Sequence, residues 1–286
     1  MKIMHRKEAQ SLNHNLAKPS CYRYTLITKK TKGDFILRKS IRFLDSNMLR
    51  ALACLLMLCD HMWATIVPGN EWMTWVGRLA FPIFAFQIAE GFLHTSNVRK
   101  YAVRPLIFGL VSEVPFDLVY GSTMLYPFHQ NVMFTLLLGL LAVKALDNAK
   151  EKHTVKAWLV GALLAALCCL GAAVTFTDYG ALGVATVIMF YLCREFRFAW
   201  AAQLGFMILF NFILFTGEYI PLTVLGHTFE LQTQGFAVFA LIPIWLYNGR
   251  KGVSSKALQY GFYAFYPVHL LVLYGIAQYL IPAIVI

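Results

Sequence analysis

Asp60 and His61 stand side by side in LLMLCDHMWAT, residues 55–65, a run otherwise suited to lipid. The apolar stretch from Met48 to Val67 is 20 residues long, enough at about 1.5 Å per residue to cross a hydrocarbon layer of roughly 30 Å. A carboxylate there costs on the order of 2.5–3.5 kcal/mol even on the mildest insertion scale, so it should face protein or trapped water and have a partner. Helix neighbours diverge by about 100°, so Asp60 cannot orient His61, and the carboxylate that does so is expected from another helix. An imidazole, titrating unperturbed at about 6.5, can serve as a general base, an acylated nucleophile or a proton relay. The bland alternative is a core histidine satisfied by one hydrogen bond.

Other costly residues fall at similar depth. Counted from the inner ends of their spans, His61 lies about 20 Å up, Glu113 about 18 Å and Asp117 about 24 Å, with His269 near the midplane. Glu113 and Asp117 are four apart and share a helix face. Two such carboxylates cannot both stay ionised without a cation, and Arg78 is expected to pair with them; the alternative is an ion pair that only docks two spans. His129, Gln130 and Asn131 sit where an outer loop meets a span, and His269 in FYAFYPVHLL follows Pro267, which removes a backbone hydrogen bond. At the inner mouth, AEGFLHTSNVRKYAVR sets Glu90 and His94 at helical spacing before Arg99, Lys100 and Arg104. That segment is either a topogenic loop or a collar for the phosphates of an anionic cofactor.

Positioning these groups requires an all-α polytopic membrane protein. Of 286 residues 59% are hydrophobic and 14% charged, a balance that excludes an ordinary soluble domain. Nine transmembrane helices, within a range of eight to ten, are expected in a single bundle at about 48–67, 76–94, 101–119, 131–147, 157–176, 180–194, 198–216, 232–248 and 260–281. Alternate connecting segments carry twelve lysines and arginines, the others carry none, and Arg78 stands apart. This alternation places the N-terminus in the cytoplasm and the C-terminus outside. The net charge of +11 is therefore topological, and nucleic acid is not an expected partner.

Residues 1–47 form a basic tail, and 1–50 hold 12 of the 25 lysines and arginines. Residues 34–47 are either an interfacial helix or disordered chain. No cleavable signal is visible, and Met48 would itself make a reasonable start. The domain proper is 48–286. The six cysteines show neither disulfide nor zinc spacing and no metal site is expected.

LMLCDHM, GRLAFPIFAF followed by EGF, SEVPFDL, HQNVMFTLLLGLLA, TDYGALGV and FYPVHLLVLYG, in that order, resemble the TraX family over roughly residues 48–281. That family is named for conjugative pilin N-terminal acetylases and is similar in plan to multispan acyltransferases that use acyl-CoA. The resemblance implies a multi-pass enzyme of the bacterial inner membrane that uses acetyl-CoA as acyl donor, with a small molecule or a peptide such as pilin as acceptor. It implies His61 as the catalytic group, with Asp60, Arg78, Asn131 and His269 as pocket residues; Glu113 and Asp117 complete the candidate constellation from their position alone. Arg78, Asn131 or His269 would face the oxyanion. The rival from another class is a proton-coupled transporter using the same acids and histidines as a relay. A non-catalytic scaffold would leave the cost of burying Asp60, Glu113 and Asp117 without a purpose.

Overall fold

The computed structural model describes residues 42–224 and 227–280, so residues 1–41, with most of the expected interfacial helix at 34–47, lie outside the described residues. The chain runs α1 (Ser46–Thr65), α2 (Trp72–Gly77), α3 (Ala80–His94), α4 (Val98–Tyr120), α5 (Val132–Lys152), α6 (Val155–Val174), α7 (Gly180–Cys193) and α8 (Ala199–Ile208). Helix α8 continues as a π-helical turn, Leu209–Leu214. Strands β1 (Tyr219–Val224) and β2 (His227–Gln232), a 3-10 helix (Thr233–Ala240), α9 (Leu241–Trp245) and α10 (Lys256–Gly275) follow. Each of the nine apolar stretches read from the sequence is helical over its described residues, and among the described residues five helical segments are long and apolar enough to cross a membrane. The antiparallel hairpin β1–β2, which pairs Tyr219 with Gln232 and Val224 with His227, was not expected. Its Ile, Thr, Val, Tyr and Phe content favours strand where no helical apolar face exists.

Side-chain caps close the first turns of several helices. Asp45 accepts from the amides of Asn47 and Met48, Asn97 from Lys100, Thr154 from Ala157 and Ser255 from Leu258. The bundle is built around α3, where eleven residues from Ala80 to Phe92 are buried, the pattern of a helix enclosed on all sides. Buried Gln87 on α3 accepts from the Ser46 hydroxyl at 2.9 Å and donates to the Ser46 carbonyl at 3.1 Å, fixing the start of α1. Helix α1 turns the row Leu49, Ala53, Met57 and His61 inward at i+4 spacing. His61 therefore ends an otherwise apolar core stripe.

Helix α6 is the opposite case. Its buried residues are Gly161, Ala165 and Ala172, while Leu159, Leu163, Leu167, Leu170 and Val174 are exposed. Small residues let it dock closely on α5, and the leucine face is left for lipid. At Gly161 an added Cβ would stand 2.7 Å from Ala149 Cβ and 3.0 Å from the Ala145 carbonyl oxygen. Gly161→Val is expected to cost about 1–3 kcal/mol by overpacking, whereas Leu159→Ala, on the exposed face, should leave stability nearly unchanged. Thermal unfolding in detergent compares the two.

Candidate functional site

The structure sends Asp60 and His61 in different directions, as their spacing requires. His61, buried, turns to α10, where its Nδ1 lies 2.6 Å from His269 Nε2. The rings are nearly parallel, with an interplanar angle of 11° and centroids 4.9 Å apart. His269, also buried, is held from behind: its Nδ1 lies 2.7 Å from the carbonyl oxygen of Phe265, four residues earlier. A carbonyl only accepts, so His269 Nδ1 must carry a proton and donate. In the neutral ring His269 Nε2 is then the acceptor, and His61 Nδ1 must donate to it. The lone pair of His61 is thereby left on Nε2.

The partner that orients His61 is thus an imidazole, not the carboxylate expected from sequence. Helix α10 runs on through Pro267. The ring of Tyr120 on α4 meets His61 edge-on at 6.0 Å, and Tyr266 lies 6.2 Å away. Arg78 is near enough for its charge to act on His61. Groups from α4, α10 and the α2–α3 corner therefore surround the histidine of α1.

Asp60 faces α2. Thr74, fully buried, donates to Asp60 Oδ1 at 2.7 Å and accepts from Arg78 Nη2 at 2.8 Å, and Arg78 Nη2 is 3.6 Å from Asp60 Oδ1. Gly77 permits this approach, since a Cβ there would fall 2.4 Å from Asp60 Cβ. Arg78 consequently pairs with Asp60, correcting the expected pairing with Glu113 and Asp117. The i, i+4 spacing of Thr74 and Arg78 was the available signal. Arg78 Nε is buried with no hydrogen-bond partner among the described residues.

Glu113 and Asp117 are anchors instead. Glu113 accepts from the Asn131 side-chain amide, and Asp117 Oδ2 accepts from the Tyr126 amide at 2.8 Å. Asn131, fully buried, caps α5 through Met133 and gives its other amide hydrogen to the Gly109 carbonyl at 2.9 Å. With both amide hydrogens in use, Asn131 has no donor left for an oxyanion.

The connection into α7 supplies residues that motif reading noted without a role. Asp178 is pinned through its backbone, its amide donating to the Gln130 carbonyl at 2.8 Å and its carbonyl accepting from the Thr135 hydroxyl. Tyr179 follows in the left-handed region at φ 62°, a conformation costing on the order of 1–3 kcal/mol for a side chain of this size. Its ring stacks on Phe81 at 3.9 Å. Asp60 and Asp178 are the carboxylates near enough to act on Arg78, with the phenols of Tyr179 and Tyr120 in the same corner.

At the other end of the bundle, Arg99, Lys100, Val103, Arg104, Ile107 and Phe108 of α4 and Tyr260 of α10 line a pocket of about 490 Å³. Glu90 and His94, grouped with those cations in the sequence reading, do not line it. His94 Nε2 lies 2.9 Å from Glu90 Oε1, and Arg194 Nη1 lies 2.9 Å from Glu90 Oε2.

The comparison that decides the family is the match of the TraX protein model to residues 45–277. The chain belongs to the TraX family. A TraX-like relative, the probable fimbrial assembly protein FimC, serogroup H1, of Dichelobacter nodosus, is 28% identical over 246 residues, covering 81% of this chain and 95% of that protein. No solved structure matches the chain. The matched TraX segment contains His61, His269, Asp60, Arg78 and the basic pocket.

On the connection preceding α5, His129 Nε2 stands 3.9 Å from Asp178 Oδ1. The Asp178 carboxylate raises the proton affinity of His129, against burial, which lowers it. At that distance the contact is ionic rather than a full hydrogen bond. A histidine whose folded pKa exceeds its unfolded value contributes stability below the unfolded value, about 6.5, and loses it as pH rises through the folded value. Asp178→Asn is therefore expected to lower the His129 titration midpoint toward 6.5 and to cost more stability on the acid side than above that midpoint, where only the loss of its charge near Arg78 remains. Histidine NMR and unfolding followed against pH read the two effects.

Proposed function

We propose that this TraX-family chain is a membrane-embedded acetyltransferase that moves an acetyl group from acetyl-CoA to an amine or hydroxyl acceptor. The observation that carries the reading is the hydrogen-bonded pair His61–His269, closed by the Phe265 carbonyl. That polarity leaves His61 Nε2 free to take the proton of an attacking nucleophile. Acetyl-CoA supplies the thioester carbonyl. His61 holds the acceptor's proton at Nε2 while the new bond to the acetyl carbon forms, then returns it to the sulfur as the carbon–sulfur bond breaks. Arg78, with a buried Nε and no partner for it among the described residues, is the group suited to the charge that builds on the carbonyl oxygen. Thr74 and Asp60 hold its Nη2 and act as positioning residues.

The chain is read as nine-spanning in the bacterial inner membrane with a cytoplasmic N-terminus, supported by the alternation of basic and uncharged connections. The donor would come from the cytoplasm and the acceptor from outside or from the bilayer. The name of the Dichelobacter nodosus relative, a probable fimbrial assembly protein, supports a fimbrial or pilus subunit as the acceptor.

With purified protein and labelled acetyl-CoA, His61→Ala is expected to keep its fold and its donor binding while transfer or slow thioester hydrolysis falls about 10²–10⁴-fold, the usual contribution of a positioned base. Transfer unaffected by His61→Ala, or solute movement driven by a pH gradient with no use of acetyl-CoA, would overturn the reading.

A further inference from the structure

Helices α4 and α10, which carry Tyr120, Tyr266 and His269 beside His61, also build the basic pocket at their other ends. Three cations, Arg99, Lys100 and Arg104, stand there within six residues above a wall of Val103, Ile107, Phe108 and Tyr260. Such a set suits a ligand with several phosphates and an apolar or uncharged continuation, since guanidinium and ammonium groups each take a phosphate oxygen as charge-assisted partners. Glu90, nine residues before Arg99, is occupied by His94 and Arg194, Glu113, five after Phe108, accepts from Asn131, and neither lines the pocket.

Distance then selects among phosphate ligands. Tyr260 and His269 are nine residues apart on one helix, a rise of about 14 Å. The arm joining the diphosphate of coenzyme A to its sulfur is as long as about four extended residues, or roughly 14 Å. Along α4 the i+4 row Arg104, Phe108, Ser112, Phe116 and Tyr120 runs the same way; from Phe108 on the pocket wall to Phe116, whose ring meets that of Tyr120 at 4.8 Å, the rise is about 12 Å. Ser112 is fully buried on that row, and its hydroxyl has no hydrogen-bond partner among the described residues. Phe108 stacks on Tyr263 of α10 at 5.2 Å, between the pocket and that hydroxyl.

We propose that this pocket is the port for the phosphate end of the CoA thioester, whose arm passes along the α4–α10 seam, beyond the Phe108–Tyr263 stack, to His61. This assignment rests on the acetyl-transfer reading and adds where the donor sits and how long it must be. An anionic phospholipid would offer the same three cations one phosphate and would need no 14 Å reach to a histidine pair.

The test is binding of CoA, without an acetyl group, to the full chain in zwitterionic phosphatidylcholine nanodiscs. Arg99→Ala and Arg104→Ala should each weaken binding roughly tenfold, the scale of one charge-assisted contact. Arg104→Lys should recover most of the loss, and the thermal unfolding of the variants should match the unsubstituted chain. Pantetheine, which has the arm but no phosphates, should compete poorly, and CoA binding should protect Lys100 from amine-reactive labelling. If the alanine variants bind CoA within twofold while transfer continues, the port is elsewhere and the acetyltransferase reading stands. If phosphatidylglycerol in the nanodisc displaces CoA and stays on the protein in a manner abolished by the same alanines, the pocket is a lipid site and the port is overturned. If the unsubstituted chain neither binds CoA nor transfers acetyl, the functional reading falls with it.

Discussion

The 2.6 Å contact between His61 and His269 joins the first and last long helices of the described chain. Two neutral imidazoles can share a hydrogen bond only if one donates and the other accepts, and the Phe265 carbonyl settles which. The arrangement also suits its surroundings. A carboxylate in the role of His269 would bring a full charge into a layer where charge is costly, whereas an imidazole orients its partner without one. Both rings are held by rigid elements, an inward core stripe on α1 and a helix that bonds His269 to its own backbone, which is what a preorganised proton acceptor requires.

Around this pair each of three carboxylates has a definite partner at one oxygen. Asp60 has Thr74 and Arg78, Glu113 has Asn131, and Asp117 has the amide of Tyr126. These contacts divide the polar residues between two tasks. The carboxylates of α4 hold the turn into α5, and the Asp60–Thr74–Arg78 group holds a guanidinium near the imidazoles. Breaking a buried ion pair by removing one member leaves the other uncompensated, so the Asp60–Arg78 pair ties α1 to the end of α2, while the hydrogen bonds of Glu113 and Asp117 tie α4 to the turn into α5. Tyr179 in its left-handed conformation, stacked on Phe81, marks where backbone strain is accepted next to Asp178, beside the Arg78 corner.

Much of this was legible in the sequence for a simple reason: in hydrocarbon, a polar residue is an exception that must be explained. Hydropathy and the alternation of lysine and arginine located the nine helical stretches, and residue spacing showed that Asp60 and His61 must part. Rise along the helices placed His61 and His269 at compatible depths. Pairing was not legible, because one-dimensional depth says nothing about which helices are neighbours. Arg78 was expected beside Glu113 and Asp117 but lies against Asp60, since α2 is a short helix that folds onto α1. Asn131 read as a pocket residue is a cap whose amide hydrogens are both used, and its position before an apolar run was the signal for that. The hairpin Tyr219–Gln232 was hidden because a short segment without lysine or arginine has the same charge pattern whether it is a loop or a pair of strands.

Nitrogen-15 NMR of histidine-labelled protein reads the proton positions of the pair directly. The account predicts His61 as the Nδ1-protonated tautomer with an unprotonated Nε2, and a coupling across the hydrogen bond from His61 Nδ1 to His269 Nε2. His61 found as the Nε2-protonated tautomer, with no coupling to His269, would contradict it.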